Sequence, residues 1–95
     1  MAISRISGTD STGLSESDVQ ELITGIIGEV LRLDAVAPDD DFFALGGHSL
    51  TASQVGSRIR KALDVDVPLA VFFERPTAIG LAGYVLAAAQ PGPSA

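Results

Sequence analysis

From Val19 to Leu31 the large apolar residues fall at Val19, Leu22, Ile23, Ile26, Ile27, Val30 and Leu31. Steps of three and four over more than three turns describe one face of an amphipathic helix. Ser15 and Ser17 are both suited to cap it, and Ser17 with Gln20 makes a capping-box pattern. Gly25 and Gly28 each weaken such a helix by roughly 1 kcal/mol relative to Ala. Set one turn apart, they point to the close approach of another backbone. Pro38 stops the helical reading, and a loop opens at Pro38-Asp39-Asp40-Asp41. A second helix is expected from Ser49 to about Leu63, with Ala52, Val55, Ile59 and Ala62 or Leu63 turned inward. Arg58, Arg60 and Lys61 lie toward its C-terminal end, where cations suit the helix dipole. Leu69 to Phe73 is long enough for a single turn. Pro76 then breaks the chain and Thr77 is a good N-cap for a last helix to about Ala89. On that helix Ile79, Ala82, Val85, Leu86 and Ala89 share one side. No segment alternates with period two between turns, so no sheet is expected. The fold class is all-α: a small four-helix bundle of three longer helices and one short one.

The loop before the second helix is not ordinary, because Phe42, Phe43 and Leu45 stand among its aspartates and glycines. Large apolar residues in a connection imply that it packs down onto the helices. Residues 1–14 are rich in Ser, Thr and Gly without a sustained period and read as a flexible leader. Residues 90–95 have the composition of a linker. The folded domain is therefore expected over residues 15–89, with no internal repeat. Met1 and the leader favour a freestanding protein, while the Pro/Gly tail would suit an excised linker.

Composition narrows the chemistry. The 95 residues include no cysteine, which removes disulfides, thiolate catalysis and Cys-based zinc sites. With one histidine and no calcium-loop spacing, no metal site is expected. A formal charge of −6 argues against nucleic acid and anionic membranes and for partners with basic surfaces. Neither a membrane-spanning run nor a signal peptide is visible, so a soluble, cytoplasmic protein is expected; it is also expected to be a monomer.

Attention falls on Gly46-Gly47-His48-Ser49-Leu50. Ser49 could cap the second helix, act as a nucleophile, or be a substrate. Capping alone leaves Gly46, Gly47, His48 and Leu50 unexplained. As a nucleophile Ser49 is poorly placed, since side chains adjacent at a helix start generally point apart, which keeps His48 from serving as its base. Thr51 also stands where a nucleophile elbow needs its second glycine. The substrate reading uses every feature. Glycines would let a donor come close, and a phosphate ester would face the positive end of a helix. At about 100° per residue, Leu50 falls opposite the inward stripe and would be exposed beside the hydroxyl.

The run Asp41-Phe42-Phe43-Ala44-Leu45-Gly46-Gly47-His48-Ser49-Leu50 resembles the attachment motif of peptidyl carrier proteins, the thiolation domains of nonribosomal peptide synthetases. Ser57-Arg58-Ile59-Arg60, Val67-Pro68-Leu69 and Phe73-Glu74-Arg75-Pro76-Thr77 resemble later segments of that family in order. The resemblance implies a four-helix carrier fold without catalytic residues, belonging to secondary metabolism such as antibiotic biosynthesis. Ser49 would carry a 4′-phosphopantetheine arm taken from coenzyme A by a phosphopantetheinyl transferase, with Gly46, Gly47 and His48 completing the motif. An adenylation enzyme would load the arm's thiol with an amino acid or peptide as a thioester. Condensation, tailoring or thioesterase partners would then act on it. Leu50, Phe72 and Phe73 are candidates for the partner-contact patch, one of the two phenylalanines being core. Asp64 departs from the glycine common in the family after the second helix. The alternative is an acyl carrier protein of polyketide or fatty-acid synthesis, which shares fold and prosthetic group; Phe-Phe, Gly-Gly-His and Pro-Thr favour the peptide type.

Overall fold

The computed structural model describes residues 15–89. The leader expected over 1–14 and the tail expected over 90–95 lie outside them. Four helices follow in order: α1 (Glu16–Leu31), α2 (Ser49–Leu63), α3 (Leu69–Glu74) and α4 (Ala78–Ala89). Among the described residues there is no strand.

Ser15 starts α1. Its backbone is extended, its Oγ accepts from the Asp18 N–H at 3.1 Å, and its own N–H donates to Asp18 Oδ2 at 3.3 Å. The capping box is thus Ser15–Asp18, not Ser17–Gln20. The Gln20 amide instead reaches back one turn to the Glu16 carboxylate. Two carboxylates in the first turn, Glu16 and Asp18, further suit the positive end of the helix. At the other end Arg32 adopts the left-handed conformation, and Leu33 donates its N–H to the Gly28 carbonyl at 2.8 Å. This fold-back explains Gly28: a Cβ there would lie 3.2 Å from the Leu33 carbonyl oxygen. The close backbone is the chain's own next turn. Gly25 has no neighbour within 4 Å of a would-be Cβ, so the expectation of close approach fails there.

Helix α1 packs against both α2 and α4, and α3 bridges α2 to α4. Their buried faces form one aliphatic core. Val19, Ile23, Ile26 and Ile27 come from α1, and Ala52, Val55 and Ile59 from α2. Phe42 of the loop and Phe72 of α3 are the large aromatic members. On α4 the buried stripe is Ala78, Leu81, Ala82 and Val85. Ile79, expected on that side, is exposed instead. Thr77 fixes this rotation by accepting the Gly80 N–H on its Oγ1 at 3.0 Å, which places the next residue, Ala78, inward. Ala78 is fully buried.

The end of α2 answers the question raised by Asp64. It takes a left-handed conformation (φ 60°, ψ 37°), and its N–H donates to the Arg60 carbonyl. Asp tolerates this region better than most residues, though less well than glycine. Two ion pairs, Arg58–Glu29 at 3.0 Å and Arg60–Asp66 at 3.1 Å, lie on the surface and add little stability.

Candidate functional site

The loop leading into α2 is folded by its aspartates. Asp40 Oδ2 accepts from the Ala37 N–H at 2.9 Å. Asp41 Oδ1 accepts from both Phe43 and Ala44, at 2.8 and 3.1 Å. Such side-chain turns fix a short stretch of backbone without secondary structure. Two of the three aspartates are therefore structural, a role that the Asp-x-x spacing permits but that charge counting conceals. Phe42 then donates its N–H to the Pro76 carbonyl, tying the loop to the entry of α4.

Phe42 is also the anchor of the attachment motif. Its ring is fully buried, 5.8 Å from the ring of Phe72 and 5.2 Å from that of Phe43, which meets it edge-on. The chain turns back over this ring: Gly46 donates to the Phe43 carbonyl at 3.1 Å and Gly47 to the Phe42 carbonyl at 3.0 Å. Each glycine has its own reason. Gly46 has φ +106°, a conformation that L side chains rarely adopt, with open space around it. Gly47 lies directly against the Phe42 ring, where a Cβ would come within 2.5 Å of Cδ2 and 2.6 Å of Cζ. The close approach expected from outside is, at Gly47, an approach to the protein's own core.

His48 has extended backbone (φ −153°, ψ −176°) and occupies the cap position of α2. Its N–H donates to Thr51 Oγ1 at 2.8 Å, and its carbonyl accepts the Ala52 N–H at 2.8 Å. Ser49 is consequently the first helical residue, and the capping role considered for it belongs to His48. The hydroxyl-bearing residue is exposed at the helix start. Unlike α1, α2 has no acidic residue in its first turn. The unpaired N–H groups and positive dipole end there are thus uncompensated by the helix's own carboxylates, which suits a phosphodiester. These residues fit a serine-linked phosphopantetheine on both steric and electrostatic grounds.

The expected contact residues divide. Leu50 is 62% exposed beside Ser49. Phe73 is 57% exposed and its ring stacks on Phe43, with centroids 5.0 Å apart and planes within 3°. Phe72, by contrast, is 1% exposed and belongs to the core, so it cannot present a surface to a partner. The sequence left open which phenylalanine turned in; the position of α3 against α2 decides it. Thr51, which holds the backbone of His48, was read in the sequence only as the residue that replaces the second glycine of a nucleophile elbow.

Helix count, the apolar loop and a serine presented at an α2 start define an acyl- or peptidyl-carrier architecture. Residues 21–85 match the family model described as "Phosphopantetheine attachment site", and the chain belongs to that family. Among relatives, it is 45% identical over 69 residues to surfactin synthase subunit 3 of Bacillus subtilis, a match covering 73% of this chain and 5% of that protein. It is 51% identical over 63 residues to a dimodular nonribosomal peptide synthase of the same organism, covering 66% of this chain and 3% of that one. The chain thus spans a small fraction of these relatives' length. Among solved structures it is similar, at TM-score 0.71 and 35% identity, to a chain of the complex of the phosphopantetheine transferase Sfp with coenzyme A and a peptidyl carrier protein. That match covers 73% of this chain and 90% of the other. The chain is a phosphopantetheine-bearing carrier domain of the nonribosomal peptide synthetase type, a carrier and not a catalyst.

Proposed function

We propose that Ser49 is the attachment residue and that the domain presents an aminoacyl or peptidyl thioester to successive enzymes. The observation that carries this reading is the exposed Ser49 at the first position of α2, held by a loop clamped over Phe42 and facing no first-turn carboxylate. In the attachment step the Ser49 Oγ attacks the β-phosphorus of coenzyme A. The pyrophosphate bond breaks, adenosine 3′,5′-bisphosphate leaves, and the hydroxyl proton passes to a base of the transferase. The prosthetic group supplies the thiol that this cysteine-free chain lacks. Everything else asked of the chain is placement: the loop fixes where the arm begins, and Leu50 and Phe73 each offer partners an exposed apolar side chain.

The partners in this reading are a phosphopantetheinyl transferase, an adenylation domain or enzyme, and condensation, tailoring or thioesterase domains. A small patch suits them, because a carrier must release each partner to reach the next. We place this work in the cytoplasm; among the described residues no helix is long and apolar enough to cross a membrane. Intact mass spectrometry after incubation with coenzyme A and a broad-specificity transferase tests the central claim. One phosphopantetheinyl increment is expected in the parent chain and none in Ser49→Ala. An increment that persists in the variant would move the attachment elsewhere.

A further inference from the structure

Residue 48 is the link between two fixed parts of the chain. On one side Gly46 and Gly47 donate to the Phe43 and Phe42 carbonyls, which clamps the loop over the buried Phe42 ring. On the other side α2 begins at Ser49. The direction in which the Ser49 hydroxyl leaves the surface therefore depends on the two backbone torsions of His48, both close to fully extended (φ −153°, ψ −176°). One side chain holds both backbone groups of this residue. Thr51 Oγ1 accepts the His48 N–H at 2.8 Å and donates to the His48 carbonyl at 2.9 Å.

We infer that Thr51 is a positioning residue for phosphopantetheine transfer, its hydroxyl setting where the Ser49 Oγ meets the donor. The inference rests on Ser49 as the attachment residue. The two capped helix starts of this chain show what is particular to Thr51. At α1 the third helical residue, Asp18, accepts the Ser15 N–H, and the Ser15 hydroxyl accepts the Asp18 N–H in return. That arrangement uses one first-turn N–H and puts a carboxylate at the helix start. At α2 the His48 side chain makes no capping bond, and Thr51 turns its hydroxyl back on residue 48. The bond to the cap N–H is kept without an added charge, and the first-turn N–H groups are left to a phosphodiester.

Placement matters because the Ser49 Oγ must approach the β-phosphorus of coenzyme A in line with the bond that breaks. A misplacement of about 1 Å in such a geometry can cost on the order of 100-fold in rate. Without the Thr51 hydroxyl, both backbone groups of His48 turn to water and its torsions widen. The Ser49 oxygen then spends part of its time off the line of attack. Leu50 and Phe73 keep their exposure, so docking of the carrier is unchanged. The loss therefore falls on kcat and leaves the KM for the carrier where it was.

The test measures initial rates of loading with coenzyme A and a broad-specificity transferase, the carrier concentration varied and the product read by intact mass. It is run well below the melting temperature of every variant. If the folded parent chain takes no increment, the attachment reading fails and the role of Thr51 with it. Given a parent that loads, Thr51→Val, which keeps the shape but not the hydroxyl, should lose on the order of tenfold in kcat with the carrier KM changed by less than about twofold. Thr51→Ala should match Thr51→Val, while Thr51→Ser, which restores the hydroxyl, should return kcat to within about threefold of the parent. Ile59→Val trims the buried face of the same helix and is the control for stability alone; its kcat should be that of the parent. Hydrogen exchange at the His48 amide should quicken by roughly tenfold in Thr51→Val and stay put in Thr51→Ser. Parental kcat in Thr51→Val and Thr51→Ala would overturn the proposal, as would an equal loss in Thr51→Ser or in Ile59→Val. A loss carried by KM with kcat intact would also overturn it, since Thr51 would then be a contact of the transferase.

Discussion

Replacing Gly47 with alanine tests whether the attachment motif is shaped from within. The added methyl would sit within 2.6 Å of several carbons of the Phe42 ring, well inside the 3.4 Å at which ordinary contact begins. That ring cannot swing away into solvent. It is fully buried and fixed on two sides by the rings of Phe43 and Phe72. The loop must lift instead, which disturbs the bond from Gly47 to the Phe42 carbonyl. Overpacking of this kind costs about 1–3 kcal/mol. In a domain this small each 1 kcal/mol lowers the melting temperature by roughly 4–8 °C. Urea unfolding followed by circular dichroism measures the loss, and a double-mutant cycle assigns it. Phe42→Leu alone leaves a cavity and destabilises; in its presence Gly47→Ala should cost at least about 1 kcal/mol less than in the parent chain, a coupling typical of residues in contact. Gly46→Ala is the control: its cost is backbone strain at φ +106°, in open space, and should not couple to Phe42. Transfer of phosphopantetheine to Gly47→Ala should slow, and the rate should recover in part in the double variant. If the two substitutions add within about 0.5 kcal/mol, the Phe42 ring is not what demands glycine at this position.

Two further substitutions separate core from patch. Phe72→Ala should destabilise by about 3–5 kcal/mol, whereas Phe73→Ala should cost no more than about 1 kcal/mol from its lost stacking on Phe43. Phe73→Ala should nonetheless slow aminoacylation by an adenylation partner; equal losses of stability in the two variants would refute the division. Asp64→Gly should raise stability by about 0.5–1 kcal/mol by relieving a left-handed residue at the end of α2. A urea midpoint unchanged or lowered by that substitution would show that Asp64 gains something in place that glycine lacks.

The helices were legible because their signals are local and periodic. Alternating three- and four-residue steps placed α1 and α2, and Pro68 and Pro76 bracketed α3. Errors arose where a neighbour along the chain competed for one role. Ser15 and Ser17 both satisfy the rules for a cap, and what selects Ser15 is Asp18, placed to answer it. Ile79 and Ala78 are adjacent on α4, and hydrophobicity favours Ile79 for the core. The structure buries Ala78 and leaves Ile79 exposed. At the attachment site the motif itself was readable, but the reason for its glycines was not. Gly47 is required by a ring five positions earlier, which lies beneath it only once the loop has folded on Asp41. The same limit applied to Phe72 and Phe73, identical in sequence terms and opposite in burial.

All four phenylalanines of the chain form one train of rings: Phe72 to Phe42, Phe42 to Phe43, Phe43 to Phe73. One end is sealed in the core and the other is open to solvent. One of the two inner rings, Phe42, carries Gly47 on its face, and Ser49 follows two residues later. In the proposed reading, a partner that packs on Phe73 touches the same train of rings that carries the loop before Ser49. Little further ordering is needed to bring the arm's origin to a fixed place, and loss of mobility is a principal cost of association. This lets a carrier use a contact too small for tight binding and still present its serine in register. In the proposed reading, orientation comes from the ring train, while the small area of the patch keeps the complex short-lived.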